Sequence, residues 1–272
     1  MSVVYMLLSA AAIILCVKLG LLRAIDSIAN ALNWSAKTRG QITGYATSVP
    51  ELVCLVSAGL AGVWEAGLWN IASSNIINSV LMLLAVLFYR QFNDLLNLRF
   101  VDEVTFAALA IAVPITLMYL EMDTQWYLVP ALLCFFVFYQ VVDRQINRPD
   151  RDETPARETV GNLPFGIILG LSALIAITIA GVFLGNAVAD VIEHLGVHPA
   201  LAGWILGFAT SVPEMVTFFA IYATARREGK LRSLEDTQES LDNLTGSNMA
   251  NVGVVYPLGL LVFLSASYLL GG

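Results

Sequence analysis

The pentapeptide Thr-Ser-Val-Pro-Glu occurs twice, at Thr47–Glu51 and Thr210–Glu214, each time inside a long apolar run. Glu51 and Glu214 are the two acids placed deep in such runs, and no Lys or Arg stands at the same depth to neutralise them. A carboxylate surrounded by hydrocarbon costs several kcal/mol and normally faces a polar cavity with a partner. Without a basic residue, that partner is a bound cation, a proton, or both.

The rest of the motif fits oxygen chemistry. Pro50 has no N–H for the carbonyl of Ala46, and Pro213 leaves the carbonyl of Ala209 free in the same way, so both prolines are expected to kink their helices. A carbonyl freed in a bilayer needs another partner. Hard cations take carbonyl, hydroxyl and carboxylate oxygens alike. Thr47 and Glu51 are four residues apart and share a helical face, with Ser48 on its flank; Thr210, Ser211 and Glu214 repeat the pattern. A second shared element follows each copy, SSNIIN at 73–78 and GSNMAN at 246–251. Ser74 with Asn78, and Ser247 with Asn251, lie at i, i+4 and present neutral oxygens. Two acids with such oxygens suit Ca2+, Na+ and H+. The absence of Cys, His and Met from the cluster argues against a soft metal. Proline kinks and Ser, Thr or Asn hydrogen bonds between helices are ordinary in membranes, but they do not explain two matched Glu-Pro motifs.

The elements that must hold these residues are membrane helices. Of 272 residues, 58% are apolar and 13% charged, and the mean hydropathy is +0.75. Soluble domains carry about 25% charged residues. Apolar stretches at 3–22, 41–63, 68–89, 104–120, 126–142, 163–185, 200–225 and 243–270 each reach the roughly 17 residues that a spanning helix needs. The fold expected is an all-α polytopic membrane protein of about eight helices, and the lack of period-2 alternation excludes a β-barrel. The first stretch lacks a basic n-region and a cleavage site, so it is expected to be a retained helix rather than a signal peptide. Cys16, Cys54 and Cys134 are dispersed in apolar segments and fit neither a disulfide framework nor a zinc site. The net charge of −7 lies mostly in loops and points away from nucleic acid.

Thirteen of the fourteen Lys and Arg residues fall in alternate loops, and Lys18 lies near the same end of the first helix. The positive-inside rule then places both termini outside. At an offset of 163, Ala24–Glu51 aligns with Ala187–Glu214. Four helices lie between the two motif helices, so the copies enter the membrane from opposite sides, a recurring transporter design. The expected organisation is a first inverted repeat over 1–142, a charged cytoplasmic linker over 143–162, and a second repeat over 163–272. The loop 226–242 is expected to be cytoplasmic, either plainly solvated or with a short surface helix. His194 and His198 are expected in a solvated outer loop, the five tryptophans near span ends as aromatic belts, and Cys54 in packing.

At these residues the chain resembles the Ca2+:cation antiporter superfamily, which includes the sodium/calcium exchangers. The resemblance rests on GYATSVPE with SSNIIN and GFATSVPE with GSNMAN. It implies alternating access, with Glu51 and Glu214 as central ligands. Thr47, Thr210, Ser48, Ser211, Ser74, Asn78 and Ser247 match side-chain ligands, and Ala46 and Ala209 match carbonyl ligands. The chain differs at Asn251, where some sodium-coupled members carry Asp, and at Ser73, where Gly is usual. It also has eight helices where members typically have ten, the last two of the second half being absent. The function expected is exchange of Ca2+, or a similar hard cation, for Na+ or H+, without a cofactor and without enzymatic activity. The expected setting is the plasma (inner) membrane of a prokaryote, with the lipid bilayer and inorganic cations as partners. The eight-helix count leaves room for a homo-oligomer or a partner supplying helices. The alternative is a non-transporting, partner-dependent subunit that keeps a cation-sensing site; a membrane enzyme is a distant third.

Overall fold

A computed structural model of the chain describes residues 2–32, 34, 36–146, 161–229, 231 and 234–270. Among these residues the fold is all-helical. In chain order the helices are α1 (Ser2–Cys16), α2 (Leu22–Ala31), α3 (Ala36–Thr47), α4 (Val49–Leu60), α5 (Trp64–Phe88), α6 (Phe92–Leu95), α7 (Val101–Tyr119), α8 (Leu128–Ile146), α9 (Leu163–Leu195), α10 (Pro199–Thr210), α11 (Val212–Glu228), α12 (Glu235–Ala250) and α13 (Tyr256–Leu270). A π-helical turn over Val17–Leu21 joins α1 to α2, and another over Asn251–Val255 joins α12 to α13.

Seven helical stretches among the described residues are long and apolar enough to cross a membrane: Ser2–Ala31, Trp64–Phe88, Leu98–Tyr119, Leu128–Gln145, Leu163–Leu195, Pro199–Arg227 and Asp236–Leu269. The eighth stretch expected, 41–63, is covered by α3 and α4, which are 12 residues each and part at Ser48. The first helix is longer than its apolar stretch and continues to Ala31, carrying Lys18 and Arg23 within it.

Two corrections concern the motif helices and the last loop. The prolines do not kink continuous helices. Pro50 and Pro213 each stand second in a new helix, α4 and α11, after a break at Ser48 and Ser211. A missing N–H costs nothing in a first turn, where no intrahelical acceptor exists. The last helix begins at Glu235 rather than near 243, and Asp236, Thr237 and Ser240 in its first turns are buried. These polar residues lie against protein rather than solvent, which hydropathy by itself does not reveal. The linker residues 147–160 lie outside the described residues.

Packing places the two breaks side by side. The 33-residue α9 runs along α1, α2 and α4, while α10 lies along α5 and α12 packs on α3, α5 and α7. Gly207 on α10 makes one of these approaches possible. A Cβ there would stand 2.0 Å from Ser73 Oγ and 2.9 Å from the Ser74 backbone nitrogen. Gly44 on α3 approaches α12 less closely, 3.3 Å from the Asn243 carbonyl.

The tryptophans divide. Trp126 is 72% exposed, as a belt residue would be, but Trp64 is buried. It stacks on Phe263 with ring centroids 4.7 Å apart and donates its indole N–H to Asp123 at 3.1 Å. His194 and His198 are exposed, and His198 caps α10 by accepting the Ala200 N–H at 3.2 Å. Cys54 is buried in the core.

Candidate functional site

The breaks bring helix ends of opposite polarity together. The last carbonyls of α3 and α10 lack intrahelical donors, and the first N–H groups of α4 and α11 lack acceptors. Glu51 and Glu214 lie in the first turns of α4 and α11, where the positive end of the helix favours a carboxylate. The hydroxyl of Thr47 donates to the Gly44 carbonyl at 2.9 Å, and Thr210 to Gly207 at 3.3 Å. Each break is therefore trimmed by its own threonine.

The motif of each half meets the second element of the other. Ser48 donates to the Ser247 carbonyl at 3.2 Å, and Ser211 to the Ser74 carbonyl at 3.5 Å. The Ser48 and Ser247 hydroxyls are also 3.2 Å apart. Thr210 lies beside Glu51, and Thr47 beside Glu214. Ser247 donates to Glu214 Oε1 at 3.1 Å. All ten predicted side chains come together: Glu51, Glu214, Thr47, Thr210, Ser48, Ser211, Ser74, Asn78, Ser247 and Asn251 are each at most 2% exposed. Ala46 is buried and Ala209 half-buried beside them.

Several oxygens in this cluster are left bare. Both Glu51 carboxylate oxygens, Glu214 Oε2, Asn78 Oδ1 and Asn251 Oδ1 are buried without a hydrogen-bond partner among the described residues. A buried polar atom without a partner is rare and costs about 1–3 kcal/mol, more for a charge. Three of these oxygens belong to the two carboxylates and two to amides, an oxygen-rich set that suits a cation; one bare donor, the Asn70 amide nitrogen, lies on the residue that accepts from Thr210.

Four asparagines outside the predicted set hold this arrangement. The Asn78 amide donates to Asn248 Oδ1 at 3.2 Å, and the Asn251 amide to Asn75 Oδ1 at 2.8 Å. Each pair uses up the amide N–H and leaves the Asn78 or Asn251 carbonyl oxygen bare. Asn75 is anchored by the Ala110 carbonyl at 2.9 Å, and Asn248 by the Asn75 carbonyl at 3.1 Å. Asn70 accepts the Thr210 hydroxyl at 3.3 Å, and Asn243 lies against Gly44. Extending the second shared element back to LWNIASSNIIN and LDNLTGSNMAN would have shown all four at matching positions. Asn248→Ala is expected to lower stability by about 1–3 kcal/mol, because it leaves the buried Asn78 amide without an acceptor. Thermal unfolding of the purified protein measures this.

A π-helical turn begins at Asn251 itself. Such wide turns are often found at functional sites. The equivalent Asn78 stands in regular α-helix, so the two halves are not identical here.

The sequence profile of the sodium/calcium exchanger protein family matches residues 1–143 and 165–269. This chain belongs to that family. The family is one of transporters, and the chain is an integral membrane cation exchanger. Its fold is similar to the crystal structure of the H+/Ca2+ exchanger CAX, with a TM-score of 0.61 at 14% identity, covering 98% of this chain and 68% of that one. It is also similar to the sodium-calcium exchanger NCX_Mj soaked with Na+ and Sr2+, with a TM-score of 0.51 at 19% identity, covering 99% of this chain and 88% of that one. No curated relative matches the chain in sequence.

Proposed function

We propose that this exchanger moves Ca2+, or a similar hard divalent cation, against Na+ or H+ by alternating access at the Glu51–Glu214 centre. The observation that carries this reading is the set of bare buried oxygens on Glu51, Glu214, Asn78 and Asn251. The hydroxyls of Thr47, Thr210, Ser48, Ser211, Ser74 and Ser247 and the carbonyls of Ala46 and Ala209 would complete the coordination. Outgoing and incoming ions compete for one pair of carboxylates and do not bind together. One Ca2+ or two protons neutralise two carboxylates, whereas three Na+ leave an excess positive charge that the neutral Asn251 does not offset. This balance favours proton coupling or a low sodium stoichiometry. The partner exchange between Ser48 and Ser247, and between Ser211 and Ser74, supports two inverted repeats around this centre. The distribution of Lys and Arg supports termini on the outside.

Purified protein in liposomes tests the reading directly. Ca2+ flux driven by a Na+ gradient, a pH gradient, or either one is the expected result. No Ca2+ flux under either gradient would overturn it.

Competition also sets the pH dependence. Protons and Ca2+ share the carboxylates, so Ca2+ affinity measured by calorimetry without Na+ is expected to fall as pH is lowered from 8 to 5. The sign follows from mass action: bound protons must leave before Ca2+ enters. A flat affinity would remove the proton-coupled form of the proposal. Asn251→Asp adds a third acid and is expected to strengthen Na+ dependence if Na+ is the counter-ion.

A further inference from the structure

The first turns of α12 are polar yet closed off from solvent. Asp236, Ser240, Asn243 and Ser247 follow one another at helical spacing and lie on one face, and each is at most 4% exposed. At 1.5 Å per residue this face runs about 16 Å, from the α12 N-terminal end to the hydroxyl that holds Glu214. The Ser240 hydroxyl and Asn243 Oδ1 are bare. Ser240 lies beside the Tyr222 phenol, whose own O–H is donated to Thr237 at 3.2 Å. Polar side chains that merely join helices make all their bonds; Asn243 Oδ1 makes none.

The same register on α5 shows that the fold does not require this polarity. The positions equivalent to Asp236, Ser240 and Asn243 are Val63, Gly67 and Asn70. Gly67 is packed so tightly that a Cβ would stand 2.9 Å from Leu55 Cδ1. One end of the bundle thus has a buried polar face leading to the centre, whereas the corresponding stretch at the other end has Val63 and Gly67 in place of Asp236 and Ser240 and keeps only the asparagine, Asn70.

We infer that the α12 face of Asp236, Ser240 and Asn243 is a second cation-binding stretch, through which the divalent cation passes between the cytoplasmic end and Glu214, with Asp236 as its capture group. This rests on the proposed Ca2+ exchange at the Glu51–Glu214 centre. The face is shut in the present arrangement and opens in the alternate one. Its bare hydroxyl and amide oxygens replace part of the water shed by the ion between capture and the centre.

The experiment measures exchange of radioactive Ca2+ by the full chain in inside-out and right-side-out membrane vesicles. Asp236→Asn and Ser240→Ala are each expected to raise the half-saturating Ca2+ concentration about 10-fold on the cytoplasmic side and to leave it unchanged on the other. Asp236→Glu is expected to restore most of the loss. Ser240→Ala removes one oxygen from a helical position and carries the test if Asp236→Asn fails to fold. Unchanged half-saturation on both sides, or an equal shift on both, overturns the inference while the central site stands. Absence of Ca2+ exchange in the unmodified chain overturns the functional proposal, and this inference with it.

Discussion

Glu51→Gln and Glu214→Gln are each expected to abolish Ca2+ exchange while leaving the protein folded. Glutamine keeps the size of the side chain and removes the charge that attracts a divalent cation. At Glu51 both carboxylate oxygens are bare, so the substitution breaks no hydrogen bond within the protein. At Glu214 the Ser247 hydroxyl finds the amide oxygen as acceptor in place of Oε1. Neither change leaves a large hole, and removing a buried charge relieves its desolvation. Exchange is expected to drop at least roughly 100-fold, which corresponds to about 2.7 kcal/mol. Flux in liposomes and a melting curve on the same preparation separate the two effects. Near-normal flux in either variant would show that these acids are not the central ligands.

The second large effect is expected at a residue that carries no chemistry. Gly207→Ala places a methyl group 2.9 Å from the Ser74 backbone nitrogen and 2.0 Å from Ser73 Oγ. The serine side chain can turn away, but the backbone cannot, so α10 must move off α5. Overpacking of this kind costs about 1–3 kcal/mol. The same movement separates Ser211 from the Ser74 carbonyl and Thr210 from Asn70. Exchange is expected to fall more than roughly 10-fold, with melting temperature lowered in parallel. Gly44→Ala is the milder counterpart, its nearest contact being 3.3 Å. Gly170→Ala, whose Cβ would meet Ala24 Cβ at an ordinary 3.4 Å, serves as the neutral control. A harmless Gly207→Ala would mean that the α10–α5 approach is looser than these distances require.

Much of the fold is determined by the sequence alone because a bilayer leaves few options. Eight apolar stretches with paired backbone groups can only be helices, and their lengths follow from the thickness of the hydrocarbon. The family was legible in TSVPE and its SSNIIN and GSNMAN companions, since few folds tolerate an acid and a proline together inside such stretches. The ten side chains that those motifs single out do meet in one buried cluster.

Tertiary structure decided the rest. Proline in a helical sequence marks a disturbance, but kink and break differ only in what the neighbouring carbonyls and N–H groups find as partners. Here Ser48 and Ser211 find theirs on the opposite half of the chain. Hydropathy placed the start of the last helix too late because Asp236, Thr237 and Ser240 are buried against protein, a distinction that a residue's own polarity does not contain. Trp64 left the expected belt for the same kind of reason, since Phe263 and Asp123 come to it from distant parts of the chain. The asparagine pairs Asn78–Asn248 and Asn251–Asn75 join residues about 170 positions apart, and only the folded chain shows which amide is spent and which oxygen is left bare.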